Sequence, residues 1–246
     1  MLVEGIMKKL LFVLTFLLGA TCLLAADLSL DDLIKKLEAS KSQVKDFYAE
    51  TSTKMYSDIK FNQKGKASQS EQKGKLWQKG KDKTKIELLT PKRLIMVRQG
   101  REVVTFDPVT GQKMRSSLDD DDKKQLGEPT GEFTLERAKK IFTLSVRKQG
   151  NDYIVTGIPK QQQGMVGKME IYINSSRWLP DKIIIYDLQG KKFGESKMEY
   201  QQVNNIWVLK KTYSVNNTPI GKMEITMEYS NTKVNQGLDD KEFEVD

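Results

Sequence analysis

The spacing of apolar positions changes twice along the chain. Leu10 to Ala26 is almost wholly apolar, broken only by Thr15, Gly19, Thr21 and Cys22. Beyond it, Leu30, Leu33, Ile34, Leu37, Val44, Phe47 and Tyr48 recur at three- and four-residue steps, apart from a gap at Ser40 and Lys41. This predicts a helix over 29–48. Ser29 is placed as its N-cap, and Asp31 and Asp32 fall in the first turn, where the helix dipole favours carboxylates. The far end stays open, because the chain from Phe47 onwards also reads as strand. After that the period is two. Short runs rich in β-branched and aromatic residues predict strands near 49–59, 71–79, 84–89, 93–99 and 102–107. Strands resume near 142–149, 152–158, 166–174, 181–188, 191–202, 206–215 and 220–232.

The connections carry turn chemistry. Asp107-Pro108-Val109-Thr110-Gly111, Gln149-Gly150-Asn151-Asp152, Leu188-Gln189-Gly190-Lys191 and Val203-Asn204-Asn205 all predict tight hairpins. About twelve strands joined this way make an antiparallel meander. No strand–helix–strand rhythm occurs, so a doubly wound parallel fold is not expected. The break at 112–141 has a different texture. Leu135, Ala138, Ile141 and Phe142 suggest a short helix from near Thr134, and Asp119-Asp120-Asp121-Asp122-Lys123 precedes it. The run lacks the alternating ligands and central glycine of a calcium loop and reads as a solvated loop, with no metal expected.

Several strands have one dry face. Met223, Ile225, Met227 and Tyr229 alternate with Lys222, Glu224, Thr226 and Glu228. Met169, Ile171 and Ile173 alternate with Lys168, Glu170 and Tyr172, and Thr84, Ile86 and Leu88 oppose Lys85 and Glu87. Met198 and Tyr200 oppose Lys197 and Glu199. A long sheet with one dry face must curl or be covered. The predicted helix and the 112–141 segment are small cover for twelve strands, which permits a half-barrel with an apolar cavity. Eight of the ten methionines lie beyond residue 26, several of them on the dry face. Methionine adapts to variable apolar guests. On the residues alone, plain core is the first reading of these methionines.

Composition narrows the chemistry. The 246 residues are 38% hydrophobic and 30% charged, enough for one domain with a sizeable core. With no histidine and only Cys22, neither a Ser-His-Asp or Cys-His site nor a histidine or multi-cysteine metal site can be built. Ser-x-x-Lys occurs at Ser42/Lys45, Ser57/Lys60 and Ser70/Lys73, but no Lys-Thr-Gly partner motif exists, so these are chance in a lysine-rich chain. Sequence spacing singles out no carboxylate pair for glycoside hydrolysis. No catalytic residue is assigned, and no enzyme is expected.

Lys plus Arg exceed Asp plus Glu by 41 − 33 = 8. Residues 54–101 alone carry 14 Lys or Arg against Asp58, Glu71, Asp82 and Glu87, a net of +10. Lys73, Lys75, Lys79, Lys81, Lys83 and Lys85 alternate with other residues, which on strands gathers them on one solvated face or on protected edges. The functional alternative is docking to an anionic lipid or acidic partner.

Met7-Lys8-Lys9, the apolar run, and the small residues Ala25 and Ala26 before Asp27 have the layout of a secretory signal peptide over 1–26. Gly19 and Thr21 do not suit a lipobox around Cys22, so lipidation there is not expected. Removal of the signal leaves a secreted domain with no cysteine, held by its core rather than by disulfides. Nucleic acid is not an expected partner in that setting.

Four stretches resemble, in order, the periplasmic outer-membrane lipoprotein carrier family and its wider LolA-like lipoprotein-sorting relatives. Lys75-Leu76-Trp77-Gln78-Lys79 with Lys83-Thr84-Lys85-Ile86-Glu87 looks like the family's early hairpin. Arg98-Gln99-Gly100-Arg101-Glu102-Val103-Val104-Thr105-Phe106-Asp107 is similar to its glycine, strand, aromatic, Asp step. Trp178-Leu179-Pro180-Asp181-Lys182-Ile183-Ile184-Ile185-Tyr186-Asp187-Leu188-Gln189-Gly190 matches a strand ending in Asp and then Gly. Leu238-Asp239-Asp240-Lys241-Glu242-Phe243-Glu244-Val245-Asp246 resembles a closing segment around a buried Phe.

The resemblance implies a mainly β, α+β fold. A curved antiparallel half-barrel of about 11–12 strands would have its concave face covered by an N-terminal helix and a lid at 112–141. It implies a single domain over 27–246, acting as a monomeric periplasmic carrier of lipoprotein acyl chains or a similar lipid. Cargo would come from an inner-membrane ABC transporter and go to an outer-membrane acceptor, with no cofactor. A lipid anchor exposed to water costs about 0.8 kcal/mol per CH₂, which an apolar cavity offsets without any catalytic group. The expected lining is Ile86, Leu88, Leu94, Met96, Val104, Phe106, Met169, Ile171, Ile173, Met198, Met223, Ile225 and Met227. Two departures stand out: the first arginine is Arg93, and Gly80 stands where the family has proline after the early Trp-x-Lys. A relative that binds a protein partner in the envelope is the alternative.

Overall fold

The computed structural model describes residues 28–59, 67–117, 135–162 and 164–244. The signal segment and the Asp119–Asp122 run lie outside the described residues. One helix opens the described chain: α1 (Leu30–Lys41), with the Ser29 hydroxyl accepting from the Asp32 amide at 3.1 Å as N-cap. Six strands follow: β1 (Asp46–Ser57), β2 (Ser68–Lys79), β3 (Lys83–Thr90), β4 (Leu94–Gln99), β5 (Glu102–Phe106) and β6 (Lys113–Ser117). Then come α2 (Leu135–Ile141) and β7 (Phe142–Gln149), β8 (Asp152–Pro159), β9 (Val166–Asn174) and β10 (Leu179–Asp187). β11 (Lys192–Val203), β12 (Ile206–Thr218) and β13 (Gly221–Val234) complete the sheet, and a short 3-10 helix (Asp240–Phe243) ends it.

The strands form one open, curled antiparallel sheet in the order β6-β5-β4-β3-β2-β1-β13-β12-β11-β10-β9-β8-β7. Two meanders are thus joined by the pairing of β1 with β13. The predicted turns close the hairpins. Asp107 accepts from the Val109 amide at 3.0 Å before Gly111 at φ +71°, and Asn204 and Asn205 take positive φ between β11 and β12.

Three differences from the sequence reading have physical causes. The helix stops at Lys41 rather than Tyr48: Ser42 caps it, and Phe47 and Tyr48 pair with Gln78 and Trp77 in the sheet. A thirteenth strand, β6, occupies part of the segment read as a lid; its five residues are all exposed, so no burial pattern announced it. The lid reading therefore keeps only α2 among the described residues. Among those residues, no helix is long and apolar enough to cross a membrane.

Alternation fixes two faces. We call inner the face on which α1 lies. Leu33, Ile34 and Leu37 of α1 and Leu135 of α2 bury Val155, Met169, Ile171 and Ile173 of β8 and β9. A second cluster, Phe47, Ala49, Leu76, Val208 and Val234, lies on the same face with no residue from either helix. The outer face is wet and basic, as the lysine alternation predicts. Lys85 lies over the Trp77 ring, Trp77 packs on Tyr48, and Lys233 lies over Tyr48, a cation–aromatic ladder across β3, β2, β1 and β13.

At one end the outer face is not wet. The chain leaving β13 crosses it, tied by Asp46, which accepts from the amides of Gln236 and Gly237 at 2.8 Å each. Lys79 and Lys83 each reach Asp240 at 2.7 Å, and Phe243 is fully buried beyond them.

Candidate functional site

The residues named from sequence resolve into a closed and an open zone. Opposite residues of antiparallel strands share a face, so register can be followed across the inner surface. One row runs Met55, Ile225, Ser214, Ser196, Ile183, Ile171, Val155. The row beside it runs Ser57, Met223, Asn216, Gly194, Ile185, Met169, Gly157. A third joins Thr53, Met227, Thr212 and Met198. On the other half of the sheet, Leu76, Ile86, Met96, Thr105 and Met114 form a row, with Leu88 and Leu94 paired beside it.

Eleven of the thirteen expected lining residues therefore share the inner face. Met169, Ile171 and Ile173 are at most 6% exposed beneath α1 and belong to a packed core. Ile86, Leu88, Leu94, Met96, Met198, Met223, Ile225 and Met227 are half-buried, in the open zone. Val104 and Phe106 are on the other side. Val104 pairs with Val97 and Phe106 with Ile95, and both pairs continue the outer-face rows of Lys85 and Glu87. At Val104 the C-terminal segment returns beside the outer face. Val104 and Phe243 line an outer cleft of about 310 Å³ with Val97 and Gln99.

Sequence reasoning missed Met55 and Met114. Of the eight methionines beyond residue 26, seven lie on the inner face: Met55, Met96, Met114, Met169, Met198, Met223 and Met227. The eighth, Met165, precedes β9. The signal for Met55 was the β1 alternation, hidden by its polar companions Thr51, Thr53 and Ser57.

Small residues separate the closed core from the methionine surface. Gly194, Ser196, Thr212 and Ser214 carry little side chain, and the two serine hydroxyls satisfy each other at 2.8 Å. At Gly194 an added Cβ would stand 2.9 Å from the Asn216 Oδ1 and 3.4 Å from the Ile185 Cβ. The strip is therefore low and stays low. Beside it, Tyr229 packs edge-on against Phe47 with ring centroids 6.3 Å apart, and burial pushes its hydroxyl pKa up.

Polar chemistry gathers elsewhere. On the outer face Glu170 accepts from Tyr186 at 2.9 Å, Tyr172 at 3.1 Å and Lys168 at 3.1 Å. Burial opposes ionisation of Glu170, but these hydrogen bonds outweigh it and keep its pKa below the usual range. Burial and the Glu170 bond push Tyr186 up to about 12. Every member is satisfied, so the cluster is a structural network. A cleft of about 520 Å³ beside β1, β2 and β13 is lined mainly by polar outer-face residues, including Lys54, Tyr56, Glu71 and Glu224. Among the described residues, no group of acidic, histidine or cysteine side chains could hold a metal ion.

The fold has solved counterparts. A LolA superfamily protein from Nitrosomonas europaea superposes with a TM-score of 0.57 at 13% identity, covering 88% of this chain and 98% of the other. A DUF1329 family protein from Desulfovibrio piger gives 0.59 at 14% identity, covering 87% and 95%. An outer-membrane lipoprotein-sorting protein domain from Vibrio parahaemolyticus gives 0.52 at 14% identity, covering 85% and 95%. No curated protein matches the sequence. A family described as "Uncharacterized protein" matches residues 81–246, from the β2–β3 turn to the C-terminus. The chain thus has the LolA-like fold, and it belongs to this family of uncharacterized proteins.

Proposed function

We propose that the protein binds acyl chains on the open zone of its inner face and carries them through the bacterial cell envelope. The observation that carries this reading is the gathering of seven methionines on one face, most of them half-buried and outside the helix-covered core. A closed core has no use for so many flexible thioethers, which pack less uniquely than Leu or Ile. A surface that must fit chains of varying shape does. The LolA-like fold and the lipoprotein-sorting counterpart support the same reading. It assigns no catalytic step. The cargo is a lipoprotein anchor or a similar lipid, taken from an inner-membrane transporter and passed to an outer-membrane acceptor. The signal peptide over 1–26 and a lid, reduced from 112–141 to α2 among the described residues, belong to this proposal.

The test is titration with 1-N-phenylnaphthylamine, an uncharged probe that brightens on apolar surfaces. Saturable binding in the low micromolar range, displaced by dodecanol, is expected. Absence of saturable binding overturns the reading.

The second reading is a domain that binds a protein partner. One observation favours it: among the described residues, β6 is the terminal strand of the sheet, with all five residues exposed.

A further inference from the structure

Five polar or charged residues are buried among the described residues: Asp46, Thr84, Arg98, Asp107 and Glu170. Three are fully answered. Asp46 accepts from two backbone amides, Asp107 pairs with Lys92 at 2.6 Å, and Glu170 holds its three donors. The other two face each other. Thr84 and Arg98 are cross-strand partners on the inner face, and the Thr84 Oγ1 and the Arg98 Nε both lack a hydrogen-bond partner. Arg98 is 9% exposed, and its one hydrogen bond runs from Nη2 to the Lys81 carbonyl at 2.5 Å. Among the described residues, no carboxylate pairs with it.

A guanidinium held out of water without a counter-charge is costly, and a folded protein rarely keeps one unless something neutralises it. A planar fork of donors fits a carboxylate or a phosphate bidentately. The neighbourhood suits such a group. Gln78, Thr84 and Arg98 stand side by side across β2, β3 and β4. Two residues along the same strands come Leu76, Ile86 and Met96, where the apolar zone begins.

We propose that Arg98 and Thr84 form an anion-binding end to the inner-face site, so that its ligand is an amphiphile with a carboxylate or phosphate headgroup. This rests on the acyl-binding reading above and adds the headgroup to it. The acyl chain would lie over Ile86 and Met96, and the headgroup would meet Arg98 Nε and the Thr84 hydroxyl.

The experiment displaces bound 1-N-phenylnaphthylamine from the full chain with dodecanoate, dodecyl phosphate, dodecanol and inorganic phosphate. In the wild type, the two anionic amphiphiles should displace the probe at concentrations at least tenfold below dodecanol. In Arg98→Met, with each potency taken relative to that variant's own probe affinity, that preference should shrink to within twofold. Arg98→Lys should recover part of it. Equal potency of dodecanoate and dodecanol in the wild type overturns the anion site while leaving the acyl reading intact. A preference that survives Arg98→Met does the same. Inorganic phosphate should displace nothing at millimolar concentration. If instead it raises the melting temperature of the wild type as much as dodecyl phosphate does, and not that of Arg98→Met, the occupant is a free anion and the amphiphile is overturned. Failure of the probe to bind at all removes both readings together. Should Arg98→Met not fold, the wild-type ratio of dodecanoate to dodecanol decides alone.

Discussion

The hydroxyl of Tyr229 donates to the sulfur of Met227, 2.9 Å away, two residues earlier on the inner face of β13. A thioether is a weak acceptor, so this bond adds little to stability. Tyr229 earns its place through its ring, packed edge-on against Phe47. Tyr229→Phe should therefore lower stability by less than about 1 kcal/mol in urea unfolding. A loss of about 3 kcal/mol would mean that the hydroxyl has a polar role on this face.

The two zones of the inner face should separate stability from binding. Ile173, 1% exposed beneath α1, should cost about 2–5 kcal/mol on replacement by Ala. Met223 is half-buried in the open zone, and Met223→Gln should shift the melt little while weakening the uncharged probe about tenfold, roughly 1.4 kcal/mol of binding. Comparable destabilisation by both would show that the methionine surface is ordinary core.

Phe243 closes the opposite face. It is fully buried, and its carbonyl accepts from the Gln99 Nε2 at 2.7 Å across 144 positions of the chain. Phe243→Ala should cost about 3–5 kcal/mol and leave probe affinity per folded molecule unchanged. Weaker probe binding by the folded variant would place the acyl site on the outer face.

The same C-terminal clasp has a pH limit. Hydrogen bonds from Lys79 and then Lys83 hold the Asp240 carboxyl down to about 2, below its ordinary value near 3.8. A carboxylate depressed in the folded state stabilises above its unfolded pKa and loses that contribution as pH falls through the folded one. The difference in melting temperature between wild type and Asp240→Asn should be constant above about pH 5 and shrink progressively between about pH 5 and 1. A difference as large at pH 2 as at pH 6 would show that the lysines do not act through this charge.

Much of the fold was legible because most strands obey one rule, a dry face alternating with a wet one. Met223, Ile225 and Met227 against Lys222, Glu224 and Thr226 state it plainly, and the asparagines and glycines at the turns state where strands end. The rule failed where a second layer arrived from far along the chain. Val104 and Phe106 look like lining residues, but both face outward, and the segment around Phe243 lines the outer cleft beside Val104. Nothing local to β5 records that visit. β6 escaped for the opposite reason: Lys113-Met114-Arg115-Ser116-Ser117 is held by backbone pairing to β5, with every side chain exposed. Thr84 and Arg98 could not be singled out at all, since an unanswered buried charge is a property of packing rather than of spacing.

Native mass spectrometry of the full chain, expressed in a bacterium and purified without detergent, tests the acyl-binding claim most directly. Added mass that transfers into organic solvent as acyl lipid is the predicted result. A bare mass, together with no uptake of an added acyl lipid from solution, would contradict it and leave the inner face of this sheet as core alone.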